Sequence, residues 1–157
     1  MFREQCKILE NKKIAAGHYV LKLASPRIAK NAKPGQFVQI LCSDSTDPLL
    51  PRPFSFLAAS KRDFSILYQV VGTGTKILSQ AAKGDSLWIL GPLGNGFTIK
   101  DSRHEKNFIL VGGGVGIPPL YHLAQTLLRN REYWCENLHV FIGARNRSLL
   151  LCKNEFK

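Results

Sequence analysis

The stretch Phe108–Gly116, which reads FILVGGGVG, divides the chain into two kinds of sequence. Its first four residues are a continuous apolar run, typical of a strand buried on both faces of a parallel sheet. A helix is predicted from Pro118 to Arg129, since prolines are favoured in a first helical turn. A second buried strand is predicted at Leu138–Gly143, so the last third of the chain has the order of a βαβ unit.

The residues before this unit follow a different pattern. Short apolar runs alternate with turn residues and predict strands at Tyr19–Leu23, Phe37–Leu41, Phe54–Leu57, Phe64–Val71 and Ser86–Leu90. One segment, Gly74–Ala82, has helix formers at helical spacing and predicts a short helix. This punctuation is typical of an antiparallel β-barrel or sandwich.

The polar segment 100–106 separates the two regions, so we predict domains at residues 1–101 and 102–157. The second region offers two strands and one helix, fewer than a doubly wound nucleotide-binding domain has. Leu149–Leu151 offers the start of a further helix. The fold class expected is therefore a β-barrel followed by an incomplete Rossmann-like α/β domain.

Composition excludes several classes of protein. Hydrophobic residues make up 45% and charged residues 21% of the 157 residues, as in a globular protein. We expect a cytoplasmic protein, because no apolar run has the length of a membrane span and the N-terminus is too polar for a signal peptide. The net charge of +11 is compatible with nucleic acid, an acidic protein partner or a solvated surface. Its scattered distribution favours the last two.

The reactive side chains form no catalytic or metal-binding pattern. The four cysteines lie far apart, without a Cys-x-x-Cys pair, and are interpreted as reduced, mostly structural thiols. The four histidines lack ligand spacing, and no nucleophile, base and acid set is recognisable. We therefore predict neither a metal site nor a hydrolase, and assign no catalytic residue.

The glycines Gly112, Gly113, Gly114 and Gly116 lie between a predicted strand and a predicted helix. In that position, missing side chains let a pyrophosphate approach backbone N–H groups and the positive end of a helix. The spacing differs from the G-x-G-x-x-G fingerprint. A tight strand-to-helix turn explains the run equally well at this point.

The tetrapeptide Arg52-Pro53-Phe54-Ser55 combines a fixed positive charge, a restricted backbone and a hydroxyl at the head of a strand. These groups suit a phosphate with an adjoining flat ring. Taken alone, the tetrapeptide is more simply an ordinary strand entry with an exposed arginine. Similarly, Gly91–Phe97 is by composition a dense turn whose glycines meet backbone constraints.

Five motifs in order strongly resemble the electron-transfer subunits of dihydroorotate dehydrogenase, a family of the ferredoxin-reductase superfamily. They are Arg52–Ser55, Leu67–Gln69, Gly74-Thr75, Gly91–Phe97 and Val111–Leu120. The resemblance spans nearly all of the chain. It implies an N-terminal antiparallel barrel that binds FAD and a C-terminal domain that admits NAD.

The resemblance also implies roles for individual residues. Arg52 and Ser55 would hold the FAD diphosphate and flavin, with Pro53 between them and Phe54 near the ring. Leu67, Tyr68 and Gln69 would line the flavin or its ribityl chain, and Gly74 and Thr75 would offer backbone and hydroxyl donors to the diphosphate. The glycines of 112–116 would face NADH.

By the same resemblance, hydride passes from NADH to FAD and electrons continue through a [2Fe-2S] cluster to an FMN-containing catalytic subunit in pyrimidine biosynthesis. A homodimer or a heterotetramer is expected, without nucleic acid or membrane. Two features depart from the family: its cysteine-rich cluster segment is not in this sequence, and Gln69 stands where arginine is usual. The alternatives are a truncated, non-catalytic FAD-binding or docking module, and a reductase subunit of a related ferredoxin-NADP reductase or hydrogenase complex.

Overall fold

A computed structural model describes residues 1–43, 47–99, 107–130, 133 and 135–156. Eight strands are assigned within these ranges: β1 Phe2–Ala15, β2 His18–Ala24, β3 Phe37–Leu41, β4 Arg52–Ala59, β5 Asp63–Gln69, β6 Ser86–Leu93, β7 Asn107–Gly113 and β8 Asn137–Gly143. The helices are α1 Pro26–Asn31, α2 Thr73–Gln80 and α3 Ile117–Arg129. The domain boundary expected at 101/102 lies outside the described residues and stays a prediction.

The first six strands form a closed antiparallel barrel in the order β1-β2-β5-β4-β3-β6. The barrel closes because β1 is long enough to pair with β2 through its second half and with β6 through its first half. Inward-facing apolar side chains fill the interior, including Leu21, Val38, Phe56 and Ile66, all completely buried. The barrel expected from the sequence is confirmed.

The second unit is a parallel pair of strands with one covering helix. β7 and β8 pair in register from Asn107 opposite Asn137 to Gly113 opposite Gly143. One face of the pair carries Leu110, which packs against Leu123 and Leu127 of α3. The βαβ order expected from the sequence is therefore present.

Burial of β7 and β8 on both faces, the expectation from their apolar runs, is wrong. Ile109, Val111 and Phe141 are 66%, 71% and 60% exposed, and they share the face turned away from α3. In a strand, alternate side chains point to opposite faces, so one helix covers only one set. Among the described residues, nothing covers the second face of the pair.

The barrel and the second unit pack directly on each other. Leu57 and Leu67, on the outer wall of the barrel, are buried against Ile117 at the start of α3. Leu151 and Cys152 complete this cluster. The helix expected at Leu149–Leu151 is wrong, since Arg147–Leu149 forms a single 3-10 turn and the chain continues in turns that tuck Leu151 against the barrel.

None of the helices in the described part of the chain is both long and apolar enough to cross a bilayer.

Candidate functional site

A cavity of about 360 Å³ lies on the barrel wall beside the second unit. Its volume falls within the roughly 300–1,000 Å³ usual for small-molecule sites. Ten residues line it: Arg52, Pro53, Phe54, Ser55, Leu67, Tyr68, Gln69, Val71, Thr75 and Val115. Three sequence motifs thus meet in one cavity, on β4, β5 and α2, which follow one another along the chain.

Strand β4 presents its first four residues in two directions. Phe54 packs into the barrel, with its ring edge-on to Tyr68 at 5.8 Å between centroids. Its neighbours Pro53 and Ser55 therefore lie on the outer face, because alternate residues of a strand point to opposite sides. Leu57 continues that outer face into the contact with α3.

Arg52 places a permanent positive charge at one end of the cavity. Its Nη1 donates to the carbonyl oxygen of Leu50 at 2.6 Å, which holds the side chain next to the start of α2. A Cβ added at Gly74 would lie 3.5 Å from Arg52 Nε and 3.3 Å from Pro48. Glycine at 74 therefore lets the arginine and the helix start approach each other closely.

The hydroxyl of Thr75 is occupied within the chain. Its Oγ1 accepts from the backbone N–H groups of Val71 and Gly72 and donates to the carbonyl oxygen of Gly72 at 2.9 Å. A hydroxyl has a single proton. The hydroxyl role inferred from the resemblance, donation to a diphosphate, would require this last bond to break, so the backbone N–H groups of the first helical turn are the donors that α2 offers.

Tyr68 supports the wall of the cavity from inside the barrel. Only 1% of its surface is exposed, and its ring stacks on Tyr19 at 5.5 Å. Its hydroxyl donates to Asn11 Oδ1 at 3.1 Å, and Asn11 Nδ2 donates to the carbonyl oxygens of Leu78 and Ala81 at the end of α2. Burial raises the pKa of Tyr68 well above its usual value, so the phenol stays protonated.

The glycine turn contributes a single side chain to the cavity, that of Val115. Within the turn, a Cβ at Gly112 would lie 2.4 Å from Leu120 Cδ1, and one at Gly113 would lie 3.0 Å from the Gly143 carbonyl oxygen. Gly114 has φ +54°, while Gly114 and Gly116 face open space. Two glycines thus permit close packing of strand and helix, and two leave room in front of the turn.

The positive charge of Arg52 influences the pKa of a neighbouring thiol. Burial raises the pKa of the nearby Cys42 thiol, and the positive charge of Arg52 partly offsets that rise. In the part of the chain that the structure describes, no group of three histidine, cysteine or acidic side chains lies close enough together to hold a metal ion.

Several residues of the site were not found from the sequence. Val71 and Val115 line the cavity, and Asn11 ties Tyr68 to α2. Val71 lies between two recognised motifs and Val115 lies inside a third, so both were within reach of the motif argument. Asn11 lies in β1, more than fifty positions from its partners, and carries no local signal.

Comparisons with known proteins identify relatives of the chain. No protein-family model matches the chain. The chain is 38% identical over 131 residues to the dihydroorotate dehydrogenase B (NAD(+)) electron transfer subunit of Geobacillus sp. strain WCH70, covering 82% of this chain and 51% of the relative. The subunit of the same name from Desulforamulus reducens is 38% identical over 152 residues, covering 96% and 56%. The chain belongs with these electron-transfer subunits. It spans about half of their length.

Solved structures show the same architecture. An NADH-dependent reduced ferredoxin-NADP oxidoreductase matches with a TM-score of 0.81 and 32% identity, over 97% of this chain and 52% of its own. Phthalate dioxygenase reductase matches with a TM-score of 0.78 and 19% identity, over 98% and 47%. The second likeness concerns the fold alone. The predicted fold class, a ferredoxin-reductase-type barrel with a partial α/β unit, is confirmed.

Proposed function

We propose that this chain binds FAD in the cavity on the barrel wall and serves as an electron-transfer flavoprotein subunit. The observation that carries the proposal is that Arg52–Ser55, Leu67–Gln69 and Thr75 line one cavity, with Gly74 directly beside Arg52. The relatives named as electron-transfer subunits support the same function.

The residues present fit a flavin dinucleotide. Arg52 and the unpaired N–H groups at the start of α2 provide positive charge and donors for a diphosphate. Pro53, Leu67 and Val115 provide an apolar wall for a flat ring, and Ser55 adds a hydroxyl. The cavity, of about 360 Å³, would hold part of such a molecule.

Among the described residues that line the cavity, Arg52 carries the one charge, since Gln69 and the others are neutral. When bound, FAD would supply conversion of a two-electron hydride from NADH into single-electron transfers. The protein would orient the ring on the outer face of β4 and keep water from the side covered by Leu67. We propose that NADH approaches through the open space beside Gly114 and Gly116.

Reconstitution with FAD tests the binding site. Wild-type protein should take up FAD and release it on denaturation, whereas Arg52→Gln should weaken binding roughly tenfold to a hundredfold, the value of about 1.5–3 kcal/mol for a charge-assisted hydrogen bond. Arg62→Gln is a matched control, since it removes the same charge from the turn at the far end of β4. A protein that stays colourless, or equal losses in the two variants, would contradict the proposal.

Reduction by NADH separates the enzyme from a docking module. The second candidate, an FAD-binding module without catalysis, is favoured by the two-stranded sheet whose second face lacks a cover within the described residues. Stopped-flow bleaching of the bound flavin by NADH is the result expected for the enzyme. Flavin that binds and is not reduced identifies the module.

The electron acceptor is tested with partner proteins. In keeping with the relatives' names, we propose a catalytic dihydroorotate dehydrogenase subunit as the partner, and its FMN is a further prediction. The 32% identity to a ferredoxin-NADP oxidoreductase supports the other reading, a subunit of a related reductase complex. NADH-dependent reduction of orotate in the presence of the catalytic subunit supports the first, and transfer to ferredoxin alone supports the second. A [2Fe-2S] cluster between flavin and acceptor, a homodimer or heterotetramer and a cytoplasmic location remain predictions.

A further inference from the structure

A second cavity, of about 330 Å³, lies at the opposite end of β4 from the flavin cavity. Six residues line it: Ala59, His122, Gln125, Thr126, Arg129 and Asn130. Ala59 ends β4 and Arg52 begins it. An extended strand places residues seven positions apart, such as Arg52 and Ala59, at a distance of roughly 23 Å. The second cavity is thus a separate site, formed where α3 lies on the barrel.

One wall of the second cavity is a stripe of polar residues on a partly buried face of α3. His122, Gln125, Thr126 and Arg129 follow one another at spacings of three, one and three residues, which places them on one side of α3. Positions of a helix that lie against another element are normally apolar, as Leu123 and Leu127 are on the sheet side. Polar residues retained on this side therefore call for a partner.

His122 is the buried member of the stripe. It is 6% exposed, and its ring is edge-on to Phe56 at 6.2 Å between centroids. Its Nδ1 is enclosed and has no hydrogen-bond partner among the described residues. Burial, with the nearby Arg129 charge, lowers the pKa of His122 to about 4, so the ring is neutral at physiological pH.

A neutral imidazole carries one N–H and one bare nitrogen. A buried N–H without a partner is rarer in proteins than an acceptor with a spare lone pair. We therefore assign the bare nitrogen to the enclosed Nδ1 and the proton to Nε2, so Nε2–H is the donor that His122 can offer as a residue of the cavity lining.

The other side chains complete a mixed set of donors and acceptors. Gln125 Nε2 donates to the Tyr121 hydroxyl at 3.0 Å, which leaves its Oε1 as an acceptor. Thr126 Oγ1 donates to the His122 carbonyl oxygen at 2.9 Å and keeps its lone pairs. Arg129 brings a positive charge and several N–H donors. The described residues that line the cavity include no carboxylate.

We propose that this cavity binds a phosphate group that carries a proton, either free phosphate near neutral pH or the end of a phosphate monoester below about pH 6. A protonated phosphate has negative oxygens for Arg129 and His122 and an O–H for Gln125 or Thr126. Sulfate has the same shape and no proton near neutral pH, so its oxygens would face those two acceptors with nothing to donate. The site is therefore expected to select phosphate over sulfate.

Calorimetric titration of the FAD-loaded protein with sodium phosphate, at constant ionic strength in chloride, tests the proposal. Phosphate should bind, sulfate should bind at least about tenfold more weakly, and Arg129→Gln should weaken phosphate binding by a similar factor. Arg129 is exposed, so its replacement should leave folding intact. Arg129→Lys retains the charge and should restore part of the affinity.

Arg145→Gln is the matched control, because it removes the same group from an exposed position that lines neither cavity and should leave phosphate binding unchanged. Parallel titrations with phosphate and glycerol 3-phosphate at about pH 5.5, where most of the monoester keeps a proton, identify the source of the group, since a monoester that binds as well as phosphate points to an organic phosphate. No binding of either probe, equal binding of sulfate, or an affinity that Arg129→Gln leaves unchanged would overturn the proposal.

Discussion

Replacing Asn11 with alanine should destabilise the barrel more than any other single polar-to-alanine change on β1. The Asn11 side chain makes three hydrogen bonds: Nδ2 donates to the carbonyl oxygens of Leu78 and Ala81 at 2.8 and 2.9 Å, and Oδ1 accepts from Tyr68 at 3.1 Å. Each is worth about 1 kcal/mol net, so the expected loss is about 3 kcal/mol in the free energy of unfolding.

Two further variants separate the contributions of the three Asn11 hydrogen bonds. Tyr68→Phe removes one of the three bonds and keeps the ring stacked on Tyr19, so it should cost about 1 kcal/mol. Asn11→Asp keeps the bond from Tyr68 but sets a carboxylate against two carbonyl oxygens at the negative end of α2. It should be at least as harmful as Asn11→Ala at neutral pH and partly relieved in acid.

Urea unfolding followed by tryptophan fluorescence measures these differences. With a slope of about 2 kcal/mol/M, Asn11→Ala should lower the midpoint by roughly 1.5 M and Tyr68→Phe by roughly 0.5 M. FAD affinity should also fall in Asn11→Ala, because α2 loses its attachment at the end opposite the cavity. A midpoint for Asn11→Ala no lower than that of Tyr68→Phe would refute the reasoning, since α2 would then be held by packing alone.

Three more predictions follow from single features. Gly91→Ala places a Cβ 2.6 Å from the Cγ1 of the buried Val38, so unfolding measurements should show a loss of about 1–3 kcal/mol, part of which Val38→Ala in the same chain should restore. Burial lowers the pKa of His122 from 6.5 to about 4, so the folded protein favours the neutral ring. The free energy of unfolding should therefore decrease by up to about 3 kcal/mol as the pH falls from about 6.5 to 4. His122→Leu should flatten this pH profile, and an unchanged slope would count against the burial argument. Ile109→Thr and Phe141→Thr should reduce self-association in sedimentation experiments without affecting FAD uptake, and association equal to wild type would show that the exposed sheet face is not the contact.

The barrel strands were largely predictable because most of them are short apolar runs ended by turns. The predicted strand at Phe37–Leu41 matches β3 residue for residue. β1 was not recognised, since Phe2–Ala15 alternates charged outward positions with inward ones such as Cys6 and Ile8 and contains no apolar run. α1 was not predicted, because its six residues are too few to show helical periodicity.

The α/β unit was predicted in type and misjudged in burial. An apolar run records what a strand packs against in the complete fold, and Ile109 and Phe141 have no cover among the described residues. The site residues also divide into those that the sequence predicted and those that it did not. Motif residues such as Arg52 and Leu67 were recognised through their resemblance, whereas Asn11 and His122 depend on partners far away in sequence and leave no local pattern.

Closure of the barrel has a consequence for the order of folding. Phe2 pairs with Gly91, so the first strand of the chain is sealed by the last strand of the barrel. Contacts between residues so distant in sequence slow folding, since the intervening loop must be closed before they form. During synthesis on the ribosome, the edge of the first half of β1 would stay unpaired until β6 has emerged. Substitutions along the β1–β6 seam should therefore alter the rate at which the protein matures, even where its final stability is unchanged.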